Sequence, residues 1–234
     1  MEYVTIIVIS LITLILIKIG LNIHIKDVKK IKEIGYDKEL NKIADKFPNN
    51  KEICEEILKK LNNNHVKIEE TDETKTSLYI VASNKIVIAN IKDTFTRIQT
   101  IAHECLHSIQ SKKILMFNFI CSSIFLLYFI VAIFLILFNI SNSLIYILVF
   151  IFSFFIIYIV RSYLETEAMS KAPFVAKEYM NEYKTKNKEI SDEDIDILVE
   201  NFERLNKIGI PITNFYIILT NIVKVILLCI LAII

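Results

Sequence analysis

His103-Glu104-Cys105-Leu106-His107 sets two histidines four positions apart around a glutamate. On a helix, positions i and i+4 share a face, so both imidazoles can reach one metal ion. Glu104 then lies beside that ion, where it can take a proton from bound water, which is chemistry for hydrolysing a peptide bond. Shuffled chains of this composition contain the pattern in roughly one case in two hundred.

Catalytic zinc needs three protein ligands and an open position. The arrangement H-E-x-x-H-x-x-G-x-x-H is excluded, because Gln110 stands at its glycine and Lys113 at its third histidine. The remaining common solution is a glutamate on a second helix. Tyr163-Leu164-Glu165-Thr166-Glu167-Ala168 offers Glu165 or Glu167. Two residues apart on one helix, they cannot both point at the metal.

The elements that must position these groups sit in a very apolar chain. Of 234 residues, 54% are hydrophobic, and the mean hydropathy is +0.49, beyond an ordinary soluble domain. Only 3 Gly and 3 Pro argue for long helices. A net charge of +1 gives no electrostatic case for nucleic acid. Cys54, Cys105, Cys121 and Cys229 form no C-x-x-C pair and predict no disulfide framework. Cys105 faces away from the two histidines, as a small buried apolar residue would.

Four stretches, about Tyr3–Ile19, Ile114–Phe138, Leu144–Val160 and Phe215–Ile234, approach the ~20 residues that cross a bilayer as a helix. The first has no basic flank before it and no A-x-A site after it, so it is expected to stay as an anchor. The second and third, joined by Asn139-Ile140-Ser141-Asn142-Ser143, form a helical hairpin. Lys18, Lys26, Lys29, Lys30 and Lys32 follow the first span, Lys112, Lys113 and Arg161 flank the open side of the hairpin, and Lys184, Lys186 and Lys188 lie in the last polar segment. The N-terminal tail and the hairpin tip carry no Lys or Arg. Lys/Arg bias therefore puts both polar segments in the cytoplasm. A hairpin returns the chain to the side it left, so the glutamates after it share a compartment with the histidines before it. Lys224 falls within the fourth span, on one face with Thr213, Thr220 and Asn221. It reads either as part of a polar stripe whose head snorkels, or as a partner for a buried carboxylate.

The first polar segment reads as α+β. Asn50 is expected to cap a helix through about Asn62, with Ile53, Ile57, Leu58 and Leu61 on its apolar face. Leu78–Ala82 and Lys85–Ala89 read as strands around a Ser83-Asn84 turn, or as one extended edge, with Val66–Glu70 as a third. The motif helix should begin at Asp93 or Thr94 and turn Phe95, Ile98, Ala102, Leu106 and Ile109 inward. In the second polar segment, Ser191-Asp192-Glu193-Asp194 starts a helix that Gly209 and Pro211 should close before the last span.

Ala102-His103-Glu104-x-x-His107-Ser108-Ile109-Gln110, a two-span hairpin and then Glu165-x-x-Ala168 with Ala172 resemble the YugP-like family of neutral membrane zinc metallopeptidases. Leu106 departs from the family's usual glycine, and Met169 from its usual serine. The resemblance implies Glu165 as the third ligand. It also implies a mainly α membrane protein with four transmembrane helices and a small cytoplasmic α+β zincin-like unit. The expected layout is an anchor (1–20), an α+β segment ending in the motif helix (21–113), a transmembrane hairpin (114–160), a helical segment with the glutamate (161–214) and a last span (215–234). The expected activity is that of a gluzincin-like endopeptidase in the cell membrane. Zn2+ would be held by His103, His107 and Glu165, and Glu104 would be the catalytic base. Its substrate would be a peptide or protein, membrane proteins included, held along a free strand edge among residues 78–90. A membrane scaffold or adaptor that keeps the zinc site without turnover is the alternative.

Overall fold

Few glycines leave the turns of this chain to asparagine. In the computed structural model, Asn22, Asn62, Asn84, Asn139 and Ser141 adopt positive φ, and no glycine does. Asn is, after glycine, the residue that best tolerates this region. The structure describes all residues except Lys75, Lys92 and Asp93, and all side chains of those described except Ile25, Val28 and Lys32. The expected helix start at Asp93 thus lies outside the described residues.

The chain is mainly helical, with a small three-stranded sheet. It divides into two units, residues 1–24, 117–163 and 211–234 in the first, and 25–116 and 164–210 in the second. Among the described residues, four helices are long and apolar enough to cross a membrane: α1 (Glu2–Gly20), α6 (Lys112–Leu137), α7 (Ser143–Lys186) and α8 (Asp192–Leu231). They are compatible with a multi-pass membrane protein.

In the first unit α1 buries none of its residues. A small core forms instead around Phe125 and Phe150, whose rings stack 4.4 Å apart, with Ala132, Ile147 and Leu228. Side chains such as Phe134, Phe152 and Ile159 remain exposed. The hairpin tip uses the left-handed Asn139 to end α6. Ile140 N–H donates to Leu135 O and Asn139 N–H to Ile136 O, which satisfies two terminal carbonyls. Asn142 Oδ1 then accepts the Leu144 N–H and starts α7.

In the second unit, α2 (Ile25–Gly35), α3 (Lys38–Ala44) and α4 (Asn50–Lys60) precede the sheet. Asn49, not Asn50, caps α4, by accepting the Glu52 N–H. Asn50 is buried instead, and its Oδ1 accepts from Arg97. Ile53, Cys54, Ile57 and Leu58 form the buried face of α4. The sheet order is β1-β3-β2, with β1 (Lys67–Thr71) parallel and β2 (Leu78–Ile80) antiparallel to β3 (Lys85–Ala89). Residues 78–89 are therefore two strands and not one extended edge, and β3 is paired on both sides. The free edge within 78–90 belongs to β2 alone.

The motif helix α5 spans Arg97–Ile109, three residues later than expected from Thr94. The Thr94 hydroxyl is used on Ile91 O, and its carbonyl accepts the Arg97 N–H of a preceding turn. Phe95, Ile98, Ile101, Ala102, Cys105 and Leu106 are buried, and Phe95 stacks on Phe202 at 5.5 Å. Ile109, expected inward, is exposed, because it is the last residue before the chain leaves the helix.

One boundary differs from expectation: α8 runs through Gly209 and Pro211, while α7 continues unbroken from the apolar stretch past Val160 into the expected helical segment. Proline costs a helix one donor, and α8 continues through Pro211 without it. Gly209 has φ in the ordinary range, and a Cβ there would make only ordinary contact with Met169 at 3.6 Å. α8 starts as expected with a reciprocal cap, in which Asp194 N–H donates to Ser191 Oγ and Ser191 N–H to Asp194 Oδ2.

Candidate metal centre

α5 is fastened at both ends. At its start the Arg97 guanidinium is buried and donates to the carbonyls of Ala44, Phe47 and Pro48 and to Asn50 Oδ1. At its end, Asn63 Nδ2 donates to the carbonyl and hydroxyl oxygens of Ser108. The left-handed Asn62 makes this reach possible by closing α4 just before.

α7 brings in the second side of the site. Ala168, Ala172 and Ala176 recur at helical spacing and are fully buried in the core that holds Ile98 and Ala102. Their small side chains let the α7 backbone approach closely, and Glu165 precedes Ala168 by three residues on the same face. Pro173 cannot donate to the carbonyl four residues back, that of Met169. Asn206 Nδ2 donates to Met169 O in its place at 2.8 Å, while Asn206 Oδ1 accepts from Gln99 Nε2 on α5, also at 2.8 Å. The interruption in α7 is thus joined to the motif helix.

Between these elements, His103, His107 and Glu165 converge. The two Nε2 atoms are 3.0 Å apart, and Glu165 Oε2 lies 3.5 Å from His103 Nε2 and 3.8 Å from His107 Nε2. Ligands about 2.0–2.1 Å from a tetrahedral centre are about 3.3 Å from one another. The donor set and its spacing fit a metal ion, which these three residues could hold. Glu167 is directed elsewhere, its carboxylate accepting from Lys171 Nζ at 2.6 Å and Gln110 Nε2 at 2.9 Å.

The charges are mutually supporting. Burial alone would raise the Glu165 carboxyl, but hydrogen bonds and charge from the two imidazoles hold it well below the usual carboxylate range. Burial would push the His107 imidazole down, and Glu165, with smaller help from Gln110 and Glu104, reverses this to a net rise. Burial pushes Glu104 up against the lowering influence of His103 and His107. The Tyr79 backbone N–H of β2 adds a lowering hydrogen bond, and the net result is a carboxyl that binds protons more readily than usual. Cys105 points into the core, its sulfur 3.6 Å from that of Cys54.

Gln110 is the residue that sequence reasoning passed over, except as part of a motif. Its Oε1 lies 2.7 Å from His107 Nδ1, and its Nε2 donates to Leu164 O and to Glu167. With the amide oxygen accepting, Nδ1 carries the proton and Nε2 is left free for a metal. Tyr79, Asn63 and Asn206 were also missed, since each acts across tertiary contacts that no local spacing records. Comparison with protein-family models, with curated proteins and with solved structures returns no significant match.

Proposed function

We propose that this chain is a multi-pass membrane zinc endopeptidase of the YugP-like type, with a zincin-like unit at the cytoplasmic face of the cell membrane. The observation that carries this reading is the convergence of His103, His107 and Glu165 beside the buried Glu104. Two imidazoles and one carboxylate are a donor set typical of catalytic zinc. The positive-inside bias of the polar segments supports the orientation.

Zinc bound there would acidify a water molecule and polarise the scissile carbonyl. His103 Nε2, His107 Nε2 and Glu165 Oε2 would be the ligand atoms. The Glu104 carboxylate takes a proton from the attacking water as oxygen adds to the carbonyl carbon. It returns that proton to the amine nitrogen as the C–N bond breaks. Gln110 keeps His107 in the tautomer that frees Nε2. β2 lines the site through the Tyr79 N–H, and its outer edge is where an extended peptide can add.

The test uses the full chain, purified in detergent with zinc and offered a set of internally quenched peptides. Glu104→Gln should retain stoichiometric zinc and lose about a hundredfold or more in cleavage rate. Equal cleavage by the variant and the unaltered chain would refute the mechanism.

A further inference from the structure

Lys224 is a partly buried cation of the first unit. Its Nζ lies 5.7 Å from the ring centroids of both Phe125 and Phe129, and 3.4 Å from Asn221 Oδ1. Both rings are at least eight residues from either end of α6, which at about 1.5 Å per residue keeps them ~12 Å or more from the ends. The ammonium head leans back one turn onto Asn221 and rests against two aromatic faces beside the middle of α6. Aromatic rings and one amide oxygen are weak partners for a charge out of water.

The unit itself supplies no better one. Glu2, in the first turn of α1, is its only acidic residue. A second copy of this chain would bring no acid at that depth either, since the apolar parts of α6, α7 and α8 contain no Asp or Glu. The phosphate of a lipid lies at the ends of a spanning helix and not beside its middle. What has the right charge and depth is a carboxylate on a different spanning helix. Such acids face protein in preference to lipid for the same reason as the lysine.

We propose that Lys224, seated on Phe125, Phe129 and Asn221, is the docking point for a partner membrane helix that carries Asp or Glu near its middle. This rests on the membrane-spanning part of the proposed function and is independent of the metal centre.

The test reconstitutes the full chain into neutral phosphatidylcholine vesicles, with insertion checked by resistance to alkaline extraction. Fluorescent 22-residue Leu/Ala helices carrying Glu at the middle, Gln at the middle or Glu near one end are added, and association is read by energy transfer. The mid-Glu helix should associate about tenfold more tightly than the other two. Lys224→Met should remove that preference, and Lys224→Arg should keep it. Equal association of the mid-Glu and mid-Gln helices, or a preference that survives Lys224→Met, overturns the docking site. So does a preference abolished by adding anionic lipid, which would make lipid the occupant. Failure to insert would instead sink the membrane reading itself.

Discussion

Glu165 and Glu167 are separated by one residue and engaged in different work. Glu165 faces two imidazoles, whereas Glu167 is held by Lys171 and Gln110. The two should separate cleanly in a metal competition titration. Glu165→Gln should weaken zinc binding by well over a hundredfold, while Glu167→Gln should change it by less than about threefold. Gln110→Ala should cost about 10–100-fold, the usual effect of removing the group that orients a ligating histidine. Equal losses for Glu165→Gln and Glu167→Gln would break the assignment of the third ligand. At this scale the histidine pair was legible in the sequence because helical period alone decides that i and i+4 meet. The choice between the two glutamates was not, since residue spacing leaves the rotation of α7 about its axis undetermined. Gln110 was visible only as a letter beside the motif, because two of its three hydrogen bonds reach across to α7.

Among the elements, α7 depends on a substitute donor. Pro173 leaves Met169 O without a helical partner, and Asn206 supplies the missing hydrogen bond while accepting from Gln99. Asn206→Leu would leave a part-buried carbonyl and an amide group unpaired. It should destabilise the detergent-solubilised protein by about 1–3 kcal/mol, read as a lower denaturation midpoint in the absence of zinc. An unchanged midpoint would mean that water replaces the side chain at no cost. The extents of α1 and α6 were readable from hydropathy, since composition changes sharply at their ends. The extents of α7 and α8 were not. Charged residues at 161–186 and 192–207 mark a change of surroundings, but helix formation continues through such a change when the apolar face continues. Gly209 and Pro211 signal a stop, and the helix continues through both.

For the molecule as a whole, charge partitions almost completely. All but four of the Asp, Glu, Lys and Arg residues belong to the second unit, the exceptions being Glu2, Lys18, Arg161 and Lys224. One chain thus carries a nearly uncharged unit compatible with a membrane and a charged one, and this was legible from where the charges fall along the sequence. Orientation can be checked by thiol labelling of intact cells, because Cys54, Cys105 and Cys229 are buried and an added exposed cysteine dominates the signal. Ser141→Cys, at the hairpin tip, should react with a membrane-impermeant maleimide from outside, and Lys188→Cys only after the cells are opened. The opposite pattern would invert the proposed topology. The sheet sets a different kind of limit. β3, its longest buried strand, is enclosed by neighbours, and the open edge beside Glu104 belongs to three residues, Leu78–Ile80. A guest chain placed there would find little main-chain grip, since the Tyr79 N–H is already engaged by Glu104. Main-chain grip alone would let such a guest go quickly, so on the proposed reading selection would fall to side chains.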